Sequence, residues 1–141
     1  KKERNYVLEE MKNETRTIIV YEAPHHLVKT LTLLTETLGN RSVTIVRELT
    51  KKFETVLRTT LTDALEYYKT NLPKGEYVII LQGRSRKDLV EEGQKEWLSM
   101  TLENHMKYYE KKGIEKKEAM KLVGKDRGLS KREIYQQLLE H

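Results

Sequence analysis

Two short apolar runs, Ile18-Ile19-Val20 and Val43-Thr44-Ile45-Val46, bracket a stretch in which Leu27, Leu31, Leu34 and Leu38 recur at spacings of 4, 3 and 4. The runs read as strands, and the leucines mark one apolar stripe of a helix. Pro24 suits the first turn of that helix, where its missing N–H is not needed. Gly39-Asn40 suits its end, because glycine accepts the left-handed conformation of a C-terminal cap. Strand, helix and strand with a short return make a βαβ unit, which predicts a parallel pair and a right-handed crossover. The unbroken apolar centre of the first strand, Thr15 to Tyr21, predicts burial on both faces.

The same reading extends along the chain. Residues Lys1 to about Asn13 predict a helix, with Tyr6, Val7 and Met11 on one side. Ser42 to Arg47 is the second strand, and Thr55 to Thr59 a short third one. Thr62 to about Lys69 is helical. Pro73-Lys74-Gly75 makes a turn into a strand from Glu76 to Gln82, closed by Gly83. Beyond it the strand-like runs stop. Arg84 to Glu92 reads as a polar connector. Leu98, Leu102, Met106 and Tyr109 mark a helix broken by Gly113, and Ala119, Leu122 and Val123 mark another. Ser130-Lys131-Arg132-Glu133 is a capping box that opens a last helix bearing Ile134, Tyr135 and Leu138. Two short helices around a glycine-bearing turn have a helix-turn-helix outline, which also serves as a plain packing appendage. The expectation is therefore α/β: a small mixed sheet flanked by helices over residues 1–84, then an all-helical extension over 85–138.

Composition narrows the function classes. Of 141 residues, 37% are apolar and 35% charged, which predicts a thin core under a solvated exterior. The absence of cysteine excludes disulfides and thiolate metal sites, and suits a reducing cytoplasm. No apolar run approaches the ~20 residues of a membrane span, and no signal peptide is visible. The chain begins at Lys1 rather than methionine, and Leu139-Glu140-His141 looks like a tag remnant, so a fragment of a longer protein is expected. Net charge is +5, and His105 to His141 hold 10 Lys/Arg against 6 Asp/Glu. That tail suits either a phosphate backbone or an ordinary solvated helical surface. The glycines are scattered, so neither a P-loop nor a dinucleotide-binding fingerprint is present. If the chain serves an enzyme, much of the active site lies elsewhere.

The candidate site residues cluster just past the two strands of the βαβ unit, where α/β sheets hold their ligands. Glu22 can accept ligand hydroxyls or orient a base, and the same position suits a carboxylate at a helix start. His25 and His26 are adjacent and point about 100° apart on a helix, which disfavours a shared metal; no metal is expected. His25 is a candidate base. Arg47, Glu48, Thr50 and Lys51 form the densest cluster. Arg47 and Lys51 suit phosphate, and the cluster equally suits a self-satisfied ion-pair network. Glu54 and Arg58, four apart, suggest a further pair.

Three ordered strings, Thr17-Ile-Ile-Val-Tyr-Glu-Ala-Pro-His25, Arg47-Glu-Leu-Thr-Lys51 with Glu54, and Lys74-Gly-Glu-Tyr-Val-Ile-Ile80, resemble the carboxyl-terminal half of the type I small-subunit ribosomal RNA methyltransferases, in the tetrapyrrole (corrin/porphyrin) methylase superfamily. The tail around Lys117-Glu-Ala-Met120 and Lys131-Arg-Glu-Ile-Tyr135 resembles that family's end. His26 stands where the family usually has arginine, and Thr59 where it often has glycine. The resemblance implies a two-domain enzyme that uses S-adenosylmethionine to methylate a cytidine 2′-hydroxyl of 16S rRNA. Its amino-terminal domain is missing here. It implies cofactor contacts from Tyr21, Glu22 and Ala23, and from Glu76 and Tyr77. It implies RNA contacts from Arg47, Lys51, Lys131 and Arg132, and a base among Glu22, Glu48 and His25. The expected partners are the small ribosomal subunit, the missing domain and, because a thin severed domain exposes apolar surface, a second copy in a homodimer. The alternatives are a methylase of a tetrapyrrole or other small substrate, and a non-catalytic RNA-binding or dimerisation module.

Overall fold

A computed structural model describes residues 2–140. Its elements are α1 (Lys2–Lys12), β1 (Ile18–Glu22), α2 (Pro24–Leu38), β2 (Ser42–Arg47), β3 (Thr55–Thr60), α3 (Leu61–Thr70), β4 (Tyr77–Leu81), α4 (Arg86–Leu98), α5 (Leu102–Glu110), α6 (Lys116–Arg127) and α7 (Lys131–Leu139). Position 1 of the first expected helix and position 141 of the expected tag remnant lie outside the described residues. Leu139 is the last residue of α7. The chain divides into two compact units, residues 1–85 and 86–141.

In the first unit the sheet order is β1-β4-β2-β3. The α/β class is as expected, but the parallel pair is not formed and the sheet is not mixed. β4 lies between β1 and β2 and runs antiparallel to both, and β3 pairs antiparallel with β2. The reason lies in β4 itself. Tyr77-Val78-Ile79-Ile80-Leu81 is the most continuously apolar strand, and a central position gives it a neighbour on each side and cover on each face. β1 and β2 still run in the same direction, because both oppose β4.

One face of the sheet carries the core. Val43, Ile45, Tyr77, Ile79 and Leu81 meet Leu27, Leu31 and Leu34 of α2 and Leu61 and Ala64 of α3, with Ile18, Val20 and Leu57 packed at the margin. Full burial of one such side chain is worth about 1.5–3 kcal/mol. The opposite face is buried at Val46 and Val78 but open along β1, which corrects the expected two-sided burial of β1. Ile19 is 60% exposed and Tyr21 79%. β1 is an edge strand, so its alternate side chains project from the uncovered side.

Helix ends follow local chemistry. Pro24 opens α2, and Gly39 closes it by donating to Thr35 O at 3.0 Å. The hydroxyl of Thr60 caps α3 by accepting from Asp63 N–H. The Ser130 capping box forms as read, with Glu133 Oε2 accepting from Ser130 N–H at 2.7 Å.

The second unit is all helical around Met106, Ala119, Met120, Val123 and Ile134. Two expectations change here. The polar connector is most of a helix, α4, whose apolar residues are too sparse to show a period. The helix expected from Leu98 to Tyr109 is split at 99–101, where the Thr101 hydroxyl caps α5 by accepting from Asn104 N–H. What ties α4 to α5 and α6 is polar. His105 is fully buried and stacks on Trp97, with ring centroids 4.1 Å apart and planes 3° from parallel. Arg127 Nε donates to His105 Nδ1 at 2.9 Å, and His105 Nε2 lies 3.0 Å from Asp126 Oδ2. Arginine only donates, so Nδ1 must carry a lone pair. The ring is therefore neutral, with its proton on Nε2 and shared with Asp126. Arg127 also donates to the carbonyls of Trp97 and Met100 at 3.0 and 2.6 Å.

Burial holds the His105 pKa below its ordinary value. A His whose pKa is lowered by folding contributes stability above its unfolded pKa of about 6.5, and this is lost as pH falls towards the folded value. Thermal melts between pH 7 and pH 5 should show a falling Tm, and His105→Gln should flatten that dependence.

Candidate functional site

The register sets the geometry. Glu22 at the end of β1 and Arg47 at the end of β2 both pair with Tyr77, the first residue of β4. The Tyr21 and Arg47 segments therefore leave the sheet at one edge. Between them lies a pocket of about 440 Å³, lined by Tyr21, Glu22, Ala23, Leu49, Thr50, Lys51, Glu76, Tyr77 and Val78. All five residues given cofactor roles by resemblance, and Lys51, share this one pocket.

The loop from Glu48 to Glu54 forms one wall and is held by specific bonds. Glu48 N–H donates to Glu76 O at 2.8 Å, and Glu76 N–H donates to Glu48 Oε1 at 3.0 Å. Lys51 Nζ reaches Glu48 Oε2 at 3.0 Å and Glu76 Oε2 at 3.1 Å. Thr50 N–H donates to Glu54 Oε2 at 2.6 Å. Glu54 thus turns inward to the loop rather than to Arg58. Glu48 and Thr50 have φ of 52° and 66°, in a region that non-glycine residues seldom adopt. Such a backbone persists only where its surroundings hold it.

Electrostatics follow from these contacts. The Lys51 ammonium, and then the bond from Glu76 N–H, hold the Glu48 carboxyl below its ordinary pKa. Glu48 and then Glu76 raise the pKa of Lys51. The pocket rim therefore carries the Lys51 ammonium held between the Glu48 and Glu76 side chains. Glu48 is a clamp with both oxygens engaged.

The remaining contacts of the expected residues are local or lie in other parts of the chain. The Glu22 carboxylate bridges the start of α2, accepting from Ala23 N–H at 2.9 Å and from the Thr30 hydroxyl at 2.6 Å. His25 and His26 are exposed in the first turn of α2, with ring centroids 4.2 Å apart. Arg47 lines a different pocket, on the helix-covered side, where its Nε donates to Lys74 O at 2.6 Å. Lys131 and Arg132 are exposed in the first turn of α7, in the helical unit. Sequence reasoning assigned no role to Leu49 or Val78. Val78 lies in an apolar run that reads as core, and strand alternation alone would have put it on the face opposite Ile79.

Gly75 makes the clamp possible. Its φ is +80°, and a Cβ there would run into the Glu48 carboxylate. Gly75→Ala should cost about 1–2 kcal/mol in urea unfolding, as expected for an L-residue forced to positive φ. Gly93, inside α4 with open space around it, is a control of opposite sign: Gly93→Ala should stabilise by up to about 1 kcal/mol.

Residues 1–65 match the family model described as Tetrapyrrole (Corrin/Porphyrin) Methylases. The chain is 38% identical over 135 residues to a protein of Bacillus subtilis (strain 168) named Ribosomal RNA small subunit methyltransferase I, covering 96% of this chain and 46% of that protein. Proteins of the same name from Halalkalibacterium halodurans and Synechocystis sp. are 43% and 36% identical, over 135 and 138 residues, covering 96% and 97% of this chain and 46% and 48% of theirs. The chain spans about half the length of the curated relatives it matches.

Proposed function

We propose, from the match of residues 1–65 to the tetrapyrrole (corrin/porphyrin) methylase family model, that this chain is the carboxyl-terminal part of an S-adenosylmethionine-dependent methyltransferase acting on small-subunit ribosomal RNA. The observation that carries the reading is the shared strand edge. It gathers Tyr21–Ala23, Leu49–Lys51 and Glu76–Val78 around one open pocket, in a chain similar over 96% of its length to proteins named as such methyltransferases. The pocket is one wall of a site, and the remainder of a longer chain supplies the other. The exposed β1 surface bearing Ile19 and Tyr21 is the side on which that remainder packs.

The pocket's chemistry fits the cofactor. Tyr21 and Val78 offer apolar surface for an adenine ring. Lys51 and Glu76 offer opposite charges suited to a carboxylate and to an ammonium or ribose hydroxyls. The bound cofactor supplies an activated methyl group on a sulfonium. The acceptor in this reading is a cytidine 2′-hydroxyl of 16S rRNA. Positioning the hydroxyl in line with that methyl is the main demand on the protein.

The carboxylates divide from the histidine. Glu22 and Glu48 are positioning residues, one pinning β1 to α2 and the other pinning the loop to β4. His25 is the remaining base candidate on this chain, exposed in the first turn of α2, two residues beyond Ala23 of the pocket. Arg47, in a separate pocket and tied to the Lys74 carbonyl, is the RNA contact of this strand edge, and Lys51 serves the cofactor side.

Two measurements test this in the protein extended to the relatives' length. Ala23→Leu fills the pocket and should weaken S-adenosylmethionine binding by calorimetry about tenfold or more, since a loss of only 1.4 kcal/mol suffices. His25→Ala should lower kcat for methylation of 30S subunits by roughly 10²–10⁴-fold with KM little changed. Wild-type turnover would place the base outside this chain, and unchanged cofactor affinity in Ala23→Leu would remove the pocket from the site.

A further inference from the structure

We infer that a second site lies in the helical unit: the groove between α6 and α7 binds single-stranded RNA, with a base stacked on Tyr135 and phosphates on the surrounding cations. The groove has a volume of about 790 Å³. Lys116 and Lys117, from the start of α6, and Lys131 and Arg132, from the start of α7, line it together with Met120 and Tyr135. Tyr135 is 55% exposed, and Met120 is buried beneath. An aromatic ring standing free over an apolar floor, with cations on both helices, matches what a single strand needs: a stacking platform and an electropositive track.

The charges are available to a ligand. Among the described residues none of the four cations has an ion-pair or hydrogen-bond partner, whereas Lys12, Lys51, Lys69 and Lys121 all pair with glutamates. Two of the neighbouring carboxylates are committed. Glu133 closes the capping box with Ser130, and Glu118 pairs with Lys121 at 3.0 Å. The groove therefore faces solvent with an excess of positive charge, four cations beside the single uncommitted carboxylate of Glu115 at the start of α6, which suits a polyanion. An apolar packing face alone gives no reason for four cations around it. The choice of RNA over another polyanion rests on the proposed function; the geometry of the site does not.

Fluorescence anisotropy of the full chain with a labelled single-stranded RNA of roughly 12 nucleotides reads this directly. Tyr135→Ala should weaken binding about tenfold, and Tyr135→Phe should restore it, because stacking needs the ring and not the hydroxyl. Lys131→Gln combined with Arg132→Gln should flatten the slope of log K against log salt by about 0.7 for each phosphate that is no longer neutralised. Circular dichroism melts establish that the helices persist in each variant. RNA affinity and salt slope unchanged in all three variants would overturn the site. So would preferential binding of an acidic peptide that Tyr135→Ala abolishes while RNA binding stays intact. S-adenosylmethionine affinity should be untouched by these substitutions. Failure of the groove therefore leaves the strand-edge pocket standing, and failure of cofactor binding leaves the groove standing.

Discussion

The insertion of β4 between β1 and β2 is the constraint on which the α/β unit depends. Ile79 pairs with Val20 on one side and Ile45 on the other, and it is fully buried against α2 and α3. An antiparallel partner shared by two strands forces those two strands to run the same way. Their carboxyl ends then meet at one edge, opposite the start of β4. The pocket is a consequence of that arithmetic of direction. No glycine-rich loop or metal is needed to assemble it.

Polar chemistry refines what the apolar ladder begins. The Glu48–Glu54 loop has two residues at positive φ, and backbone bonds to Glu76, the Lys51 ion pairs and the bond from Thr50 to Glu54 hold it there. These are exposed or half-exposed contacts, each weak alone in water. Their value lies in fixing a loop conformation that side-chain burial does not specify. The same division occurs in the helical unit. A small apolar cluster sets the helices together, and the set of half-buried Trp97, Asp126 and Arg127 around the buried His105 decides how α4, α5 and α6 meet. A fully satisfied buried network of this kind rigidifies and specifies an arrangement more than it adds net stability.

The legible parts of the chain were those governed by local rules. The leucine stripe of α2, its Pro24 and Gly39 ends and the Ser130–Glu133 capping box all follow from residues within a turn or two of one another. The convergence of the Tyr21 and Arg47 segments was also readable, because strand ends follow strand direction. Ladder partners were not. The partners β1 and β4 are far apart in sequence, and nothing in Ile18–Val20 indicates that its neighbour is Ile79 rather than Ile45. α4 was hidden because Leu89, Val90, Trp97 and Leu98 are too few to display a period. The chemical role of Glu48 was ambiguous for a different reason. A carboxylate past a strand end looks the same in sequence whether it takes a proton or clamps a loop, and only its partners distinguish the two.

The central claim is the sheet order, and nuclear Overhauser contacts of Ile79 test it most directly. The account predicts cross-strand contacts from Ile79 to both Val20 and Ile45, with none between Val20 and Ile45 as ladder neighbours. Direct pairing of β1 with β2, with β4 at an edge, would contradict it and with it the shared strand edge on which the pocket is built.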